Sequence, residues 1–126
     1  MRYYFFIILT AAACLKATAQ TTARPTFNAH DLGITWQPIQ NDYQNHQHSL
    51  NAVTITNNGK SIFPASGWKM YFNSARLIVK QTVTGNATID FVNGDLFSLT
   101  PTSNFTEIKP GESERIEFID EETVVN

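Results

Sequence analysis

The sequence predicts an all-β domain, an antiparallel β-sandwich of immunoglobulin-like build. Three observations carry this. Apolar residues recur with a period of two in run after run, which puts one side of each run against a core and the other in water. Turn residues punctuate the runs at roughly ten-residue spacing. No stretch carries an apolar stripe of helical period and useful length.

The elements follow in order. Residues 21–28 form a polar lead-in. Leu32, Ile34 and Trp36 then alternate with Gly33, Thr35 and Gln37, predicting a first strand. Residues 37–49, rich in Asn, Gln and His, read as a long polar loop. Val53 and Ile55 alternate with Thr54 and Thr56, and Asn57-Asn58-Gly59-Lys60 then reads as a hairpin-like turn. After the break around Pro64 and Gly67, Trp68, Met70 and Phe72 alternate with Lys69 and Tyr71. Leu77, Val79 and Val83 form the next apolar set, and Ala87, Ile89 and Phe91 another. Asn93-Gly94 and Pro110-Gly111 supply further turns, Asn73-Ser74 and Gly85-Asn86 weaker ones. Ile116 and Phe118 alternate with Arg115 and Glu117 in the last run.

A chain of 126 residues suits one domain, and an apolar content of 42% supplies a core. The net charge of −2 provides no electrostatic footprint for nucleic acid or an anionic membrane. The first residues have the layout of an export signal. Arg2 is followed by the apolar run Tyr3 to Ala13, and Ala17-Thr18-Ala19 makes a small-x-small site, so residues 1–19 are expected to be removed before Gln20. The single cysteine, Cys14, lies within this stretch. Either it is lost with the signal, or Ala11-Ala12-Ala13-Cys14 serves as a lipidation box that tethers the protein to a membrane. The cleaved form has no disulfide framework, as expected of a periplasmic, outer-membrane-associated or secreted bacterial protein held by core packing.

Catalytic chemistry is missing from the chain. His30, His46 and His48 are the only histidines, without cysteine or carboxylate at ligand spacing, so no metal is expected. Glu112, Glu114, Glu117, Asp120, Glu121 and Glu122 crowd the C-terminal run. They read as a solvated edge strand and tail, whereas a glycosidase needs two carboxylates facing each other across a cleft. A Gly-x-Ser-x-Gly elbow is absent, and Gly59-Lys60-Ser61 lacks the glycine spacing of a phosphate loop. No catalytic residue and no cofactor are therefore assigned. Sugar-binding surfaces stack pyranose rings on exposed aromatic side chains. Parity puts Trp36 and Trp68 with the inward-facing residues. Tyr71, on the opposite face beside Lys69, and Tyr43, in the polar loop, are the candidate carbohydrate-binding residues.

Five motifs occur in one order: Asp31-Leu32-Gly33-Ile34-Thr35-Trp36; Thr54-Ile55-Thr56-Asn57-Asn58-Gly59; Pro64-Ala65-Ser66-Gly67-Trp68-Lys69-Met70-Tyr71-Phe72-Asn73; Asn93-Gly94-Asp95-Leu96-Phe97-Ser98-Leu99-Thr100-Pro101; and Ile108-Lys109-Pro110-Gly111-Glu112-Ser113 before the last run. At these residues the chain resembles the N-terminal domain of bacterial chitobiases and β-N-acetylhexosaminidases. The resemblance implies a sandwich over residues 29–126, similar to bacterial cellulose-binding modules, that binds or positions polysaccharide containing N-acetylglucosamine. It also implies a downstream catalytic (β/α)₈ barrel of glycoside hydrolase family twenty, whose Asp-Glu pair has no matching position here. Since the family domain continues through at least one more strand, the resemblance implies a domain lacking its last strand, either a fragment or the product of a gene interrupted early. The alternative is an immunoglobulin-like spacer that binds no sugar.

Overall fold

The computed structural model describes residues 26–45 and 47–124. Seven strands form it: β1 (Leu32–Gln40), β2 (His48–Asn57), β3 (Met70–Asn73), β4 (Arg76–Ile78), β5 (Ala87–Asn93), β6 (Leu96–Pro101) and β7 (Ser113–Val124). The described helical pieces are three-residue 3-10 turns, at Ala29–Asp31, Tyr43–Asn45 and Lys80–Thr82. The strands make two antiparallel sheets, one of four strands in the order β1-β2-β7-β4 and one of three in the order β3-β6-β5. The expected all-β sandwich is what forms.

Period-two alternation decides what faces inward. In the four-stranded sheet Trp36 lies opposite Val53 and Val53 opposite Ile116, while Asn51 lies opposite Phe118. In the three-stranded sheet Met70, Leu99 and Ile89 form one cross-strand row, and Phe72, Phe97 and Phe91 the next. These rows meet in a core that includes Ile55, Ile116 and Phe118, all 0% exposed. Each such side chain contributes about 1.5–3 kcal/mol by leaving water. Aromatic rings bridge the sheets. Trp36 reaches across β2 to pack edge-on against Phe118, centroids 4.9 Å apart, and also meets Phe72 at 5.7 Å.

Two chain reversals close the sandwich. Gly94 and Asp95 join β5 to β6 as the Asn93-Gly94 signal predicts, with Gly94 at φ 53°. The stretch Asn57 to Lys60 differs from its reading as a hairpin, because β2 and β3 belong to different sheets and do not pair. It opens the crossover between them. Asn57, 0% exposed, holds that crossover: its Nδ2 donates to the carbonyls of Ser61 and Ile108, both at 2.8 Å, and its Oδ1 accepts from Gly59 N at 3.0 Å. The turn also packs onto the start of β1, where Asn58 N donates to Asp31 O at 2.8 Å. A Cβ on Gly59 would stand 2.6 Å from Asp31 Oδ2, so only glycine fits there.

Other departures have local causes. β1 continues to Gln40, past a register shift between Pro38 and Gln40, so the polar connection shrinks to residues 41–47. The third strand starts at Met70 rather than Trp68. Around β4 the inward residue is Ile78, 6% exposed, while Leu77 is 36% exposed, the reverse of the expected parity. The 3-10 turn at Lys80–Thr82 interrupts the alternation, so the apolar residues on its two sides are not in one phase. Phe27 of the lead-in packs against Phe63, centroids 5.1 Å apart, and so joins the core. The carboxylate-rich run is not an edge: β7 lies between β2 and β4. Asp120 therefore faces inward at 6% exposure, accepts from Asn51 Nδ2 at 2.9 Å, and lies 3.5 Å from Arg76 Nη1. The expectations for residues 1–19, Cys14 and His46, and for the lead-in as far as residue 25, lie outside the described residues.

Candidate functional site

The outer face of the three-stranded sheet carries the more exposed of the two tyrosine candidates. Alternation along β3 turns Met70 and Phe72 inward and Tyr71 outward, where it is 58% exposed. Register places Tyr71 opposite Ser98, and Ser98 opposite Asp90, in one line across the strands. The adjacent row holds Thr88 and Thr100, whose hydroxyls lie 2.9 Å apart in a mutual hydrogen bond. Asn73 Nδ2 donates to Asp95 Oδ1 at 2.9 Å on the other side. Lys80, from the connection that returns from the other sheet, pairs with Asp90. This is a polar, hydrogen-bonding surface with one aromatic plane standing on it. Such a surface suits a ligand with apolar ring faces and hydroxyl edges.

Tyr43 sits elsewhere. It opens the 3-10 turn of the β1–β2 connection, half-buried, between Asp42 and Gln44, whose φ angles are 50° and 59°. Tyr71 thus lies on the three-stranded sheet and Tyr43 on a connection of the four-stranded one, and the fold does not unite them in one row.

Trp36 was masked by its parity. Its side chain does point inward, yet β1 is an edge strand, so one flank stays open and the residue is 41% exposed. The information needed to see this was the strand order, which a single sequence does not display. Trp68 is half-buried, 5.2 Å from both Phe63 and Phe105 by ring centroid, and its buried Nε1 has no hydrogen-bond partner. It serves the core, as its parity indicates. Between β1 and the segment around Trp68 lies an apolar cavity of about 500 Å³, walled by Leu32, Ile34, Phe63, Trp68 and Met70 among others.

Several titratable groups pair with one another or with the backbone. Among the described residues no group of three or more His, Cys, Asp or Glu side chains could hold a metal ion. His48 Nε2 lies 3.9 Å from Glu121 Oε1, Arg115 bonds Glu117, and Glu112 accepts from Lys109 N. Alternation along β7 turns Glu117 and Glu121 to the outer face and Asp120 to the inner one. These three carboxylates consequently do not face each other across a cleft. The side chain of Glu122 lies outside the described residues.

Residues 22–126 match the model of a family described as "Putative carbohydrate binding domain", found at the N-termini of chitobiases and hexosaminidases. The chain belongs to this family. Its fold resembles part of the GH20 exo-β-N-acetylglucosaminidase from Vibrio harveyi in complex with N-acetylglucosamine, with TM-score 0.57 and 14% identity. An inactive mutant of that enzyme matches with the same scores, TM-score 0.57 and 14% identity. The similarity covers 76% of this chain and 13% of the enzyme chain, so this protein spans a small fraction of that one. A CBM3 from Hungateiclostridium clariflavum is also similar, at TM-score 0.44 and 12% identity, covering 75% of this chain and 73% of that one. No curated protein sequence matches the chain. The matched residues include all five motifs. Several of them meet in space, as where the Asn57 turn packs on Asp31 and bonds Ile108.

Proposed function

We propose that this domain is the non-catalytic carbohydrate-binding module of an exported β-N-acetylhexosaminidase, and that it holds polysaccharide containing N-acetylglucosamine against the outer face of the three-stranded sheet. Tyr71 is the stacking platform and Tyr43 a separate, secondary contact. The observation that carries the site is the exposure of Tyr71, 58%, at the end of a polar cross-strand row. Family membership supports the ligand class, and the N-terminal sequence supports export, with Gln20 as the first residue of the processed chain. Cys14 anchors the protein to a membrane only if it is lipidated. The catalytic barrel is a separate part of the parent enzyme.

The test is retention on insoluble chitin. The unmodified domain is expected to be retained, and Tyr71→Ala to elute early. Retention unaffected by both Tyr71→Ala and Tyr43→Ala would remove the proposed site. A second reading, an immunoglobulin-like spacer covered by neighbouring domains, is favoured by the apolar cavity of about 500 Å³ and by the exposed Ile34 beside it. A domain that ignores chitin altogether would overturn the chitin-binding reading and favour this one.

A further inference from the structure

We infer that a glycan bound on this face runs across the strands, along the line Tyr71–Ser98–Asp90, and that Asp90 is a second ligand-contacting residue held in position by Lys80. The inference rests on the carbohydrate-binding reading above and concerns the same face. Register puts the three residues on adjacent strands at one level. Strands lie about 4.8 Å apart, so Tyr71 and Asp90 are about 10 Å apart at the backbone, a span that several atoms of one extended glycan can bridge.

The middle of the line is low. Ser98 is small, so its own side chain does not rise between the tyrosine ring and the carboxylate, and at 4% exposure it is closed over by its neighbours. At the far end, Lys80 Nζ engages Asp90 Oδ1, and Lys80 arrives from a different part of the chain, the 3-10 turn before β5. A carboxylate offers about four lone-pair directions, so one lysine contact leaves acceptor capacity for sugar hydroxyls while limiting rotation. Thr88 and Thr100, hydroxyl to hydroxyl, flank the line. The direction along β3 is poorer. Asn73 Nδ2 is already committed to Asp95, and Lys69 precedes the strand.

Charge narrows the ligand further. Lys69 and Lys80 stand against Asp90 and Asp95, so the face has no net sign. It thus gives no electrostatic advantage to a deacetylated, cationic glycan or to an acidic one.

The experiment measures association of the whole domain with N-acetylglucosamine oligosaccharides of increasing length, by calorimetry, alongside a thermal melt of each variant. Asp90→Ala is expected to weaken binding about tenfold, equivalent to about 1.4 kcal/mol. Ser98→Gln, which raises a side chain in mid-line, should weaken it comparably. Asn73→Ala should stay within about twofold of the parent, taken as the margin of a side chain off the line. If Ser98→Gln lowers the melting temperature, Asp90→Asn, which keeps the shape and removes the charge, takes its place. Parent-like binding by Asp90→Ala alongside loss in Tyr71→Ala would overturn the cross-strand line and leave the face standing. Parent-like binding by Tyr71→Ala would overturn both.

Discussion

Replacing Asn57 by leucine removes three hydrogen bonds from a fully buried position at nearly constant volume. The lost bonds are the two donations from Nδ2 to Ser61 O and Ile108 O, at 2.8 Å each, and the acceptance from Gly59 N at 3.0 Å. A net bond is worth about 1 kcal/mol, whereas a stranded buried partner costs about 1–3 kcal/mol. The milder value applies here. Ile108 O keeps the bond from Phe63 N at 3.0 Å, and the contacts to Ser61 and Gly59 are only part-buried, so water can replace them. The expected loss is therefore about 3 kcal/mol, a large share of the roughly 5–15 kcal/mol typical of a domain. Urea unfolding followed by tryptophan fluorescence measures it, and the slope of free energy against urea should not change. Asn57→Asp, which keeps the acceptor but loses both donors and buries a charge, should be at least as damaging. A loss below about 1 kcal/mol in Asn57→Leu would refute the view that this side chain ties the crossover to the segment around Ile108.

Three further outcomes are expected. Gly85→Ala places a Cβ 2.3 Å from the Arg115 carbonyl at φ +72°, and should cost at least about 2 kcal/mol in the same unfolding assay. Arg76→Met leaves the inward carboxylate of Asp120 with its Asn51 bond but without its cation; because the arginine side chain is 43% exposed, the loss should be about 1–2 kcal/mol, read as a lower melting temperature. Tyr71→Ala should change stability by less than about 0.5 kcal/mol, so that any loss of chitin retention reports on binding rather than folding.

Much of this fold is legible in the chain because alternation is a local property. Val53, Ile55, Ile89, Ile116 and Phe118 turn inward as their spacing requires. Leu77 and Ile78 defeated the same reasoning, since both are apolar and the 3-10 turn at Lys80–Thr82 puts them out of phase with Val83 beyond it, without an obvious sequence mark. The candidate site was half legible. The outward face of Tyr71 follows from its neighbours on β3, but its partners Ser98 and Asp90 lie on other strands and become neighbours only through register.

The sequence by itself determined the class, the inward faces of β2, β5 and β7, and the Asn93-Gly94 reversal. These follow from backbone geometry over a few residues: side chains alternate on a strand, and glycine accepts positive φ. Tertiary structure alone decided which strands are edges. That choice opened one flank of Trp36 to solvent, set β7 inside its sheet, and turned one carboxylate of an acidic run, Asp120, into a buried partner of Asn51 and Arg76. Strand order depends on pairing between distant segments, and burial follows from the neighbours so acquired, so neither is present in the local pattern.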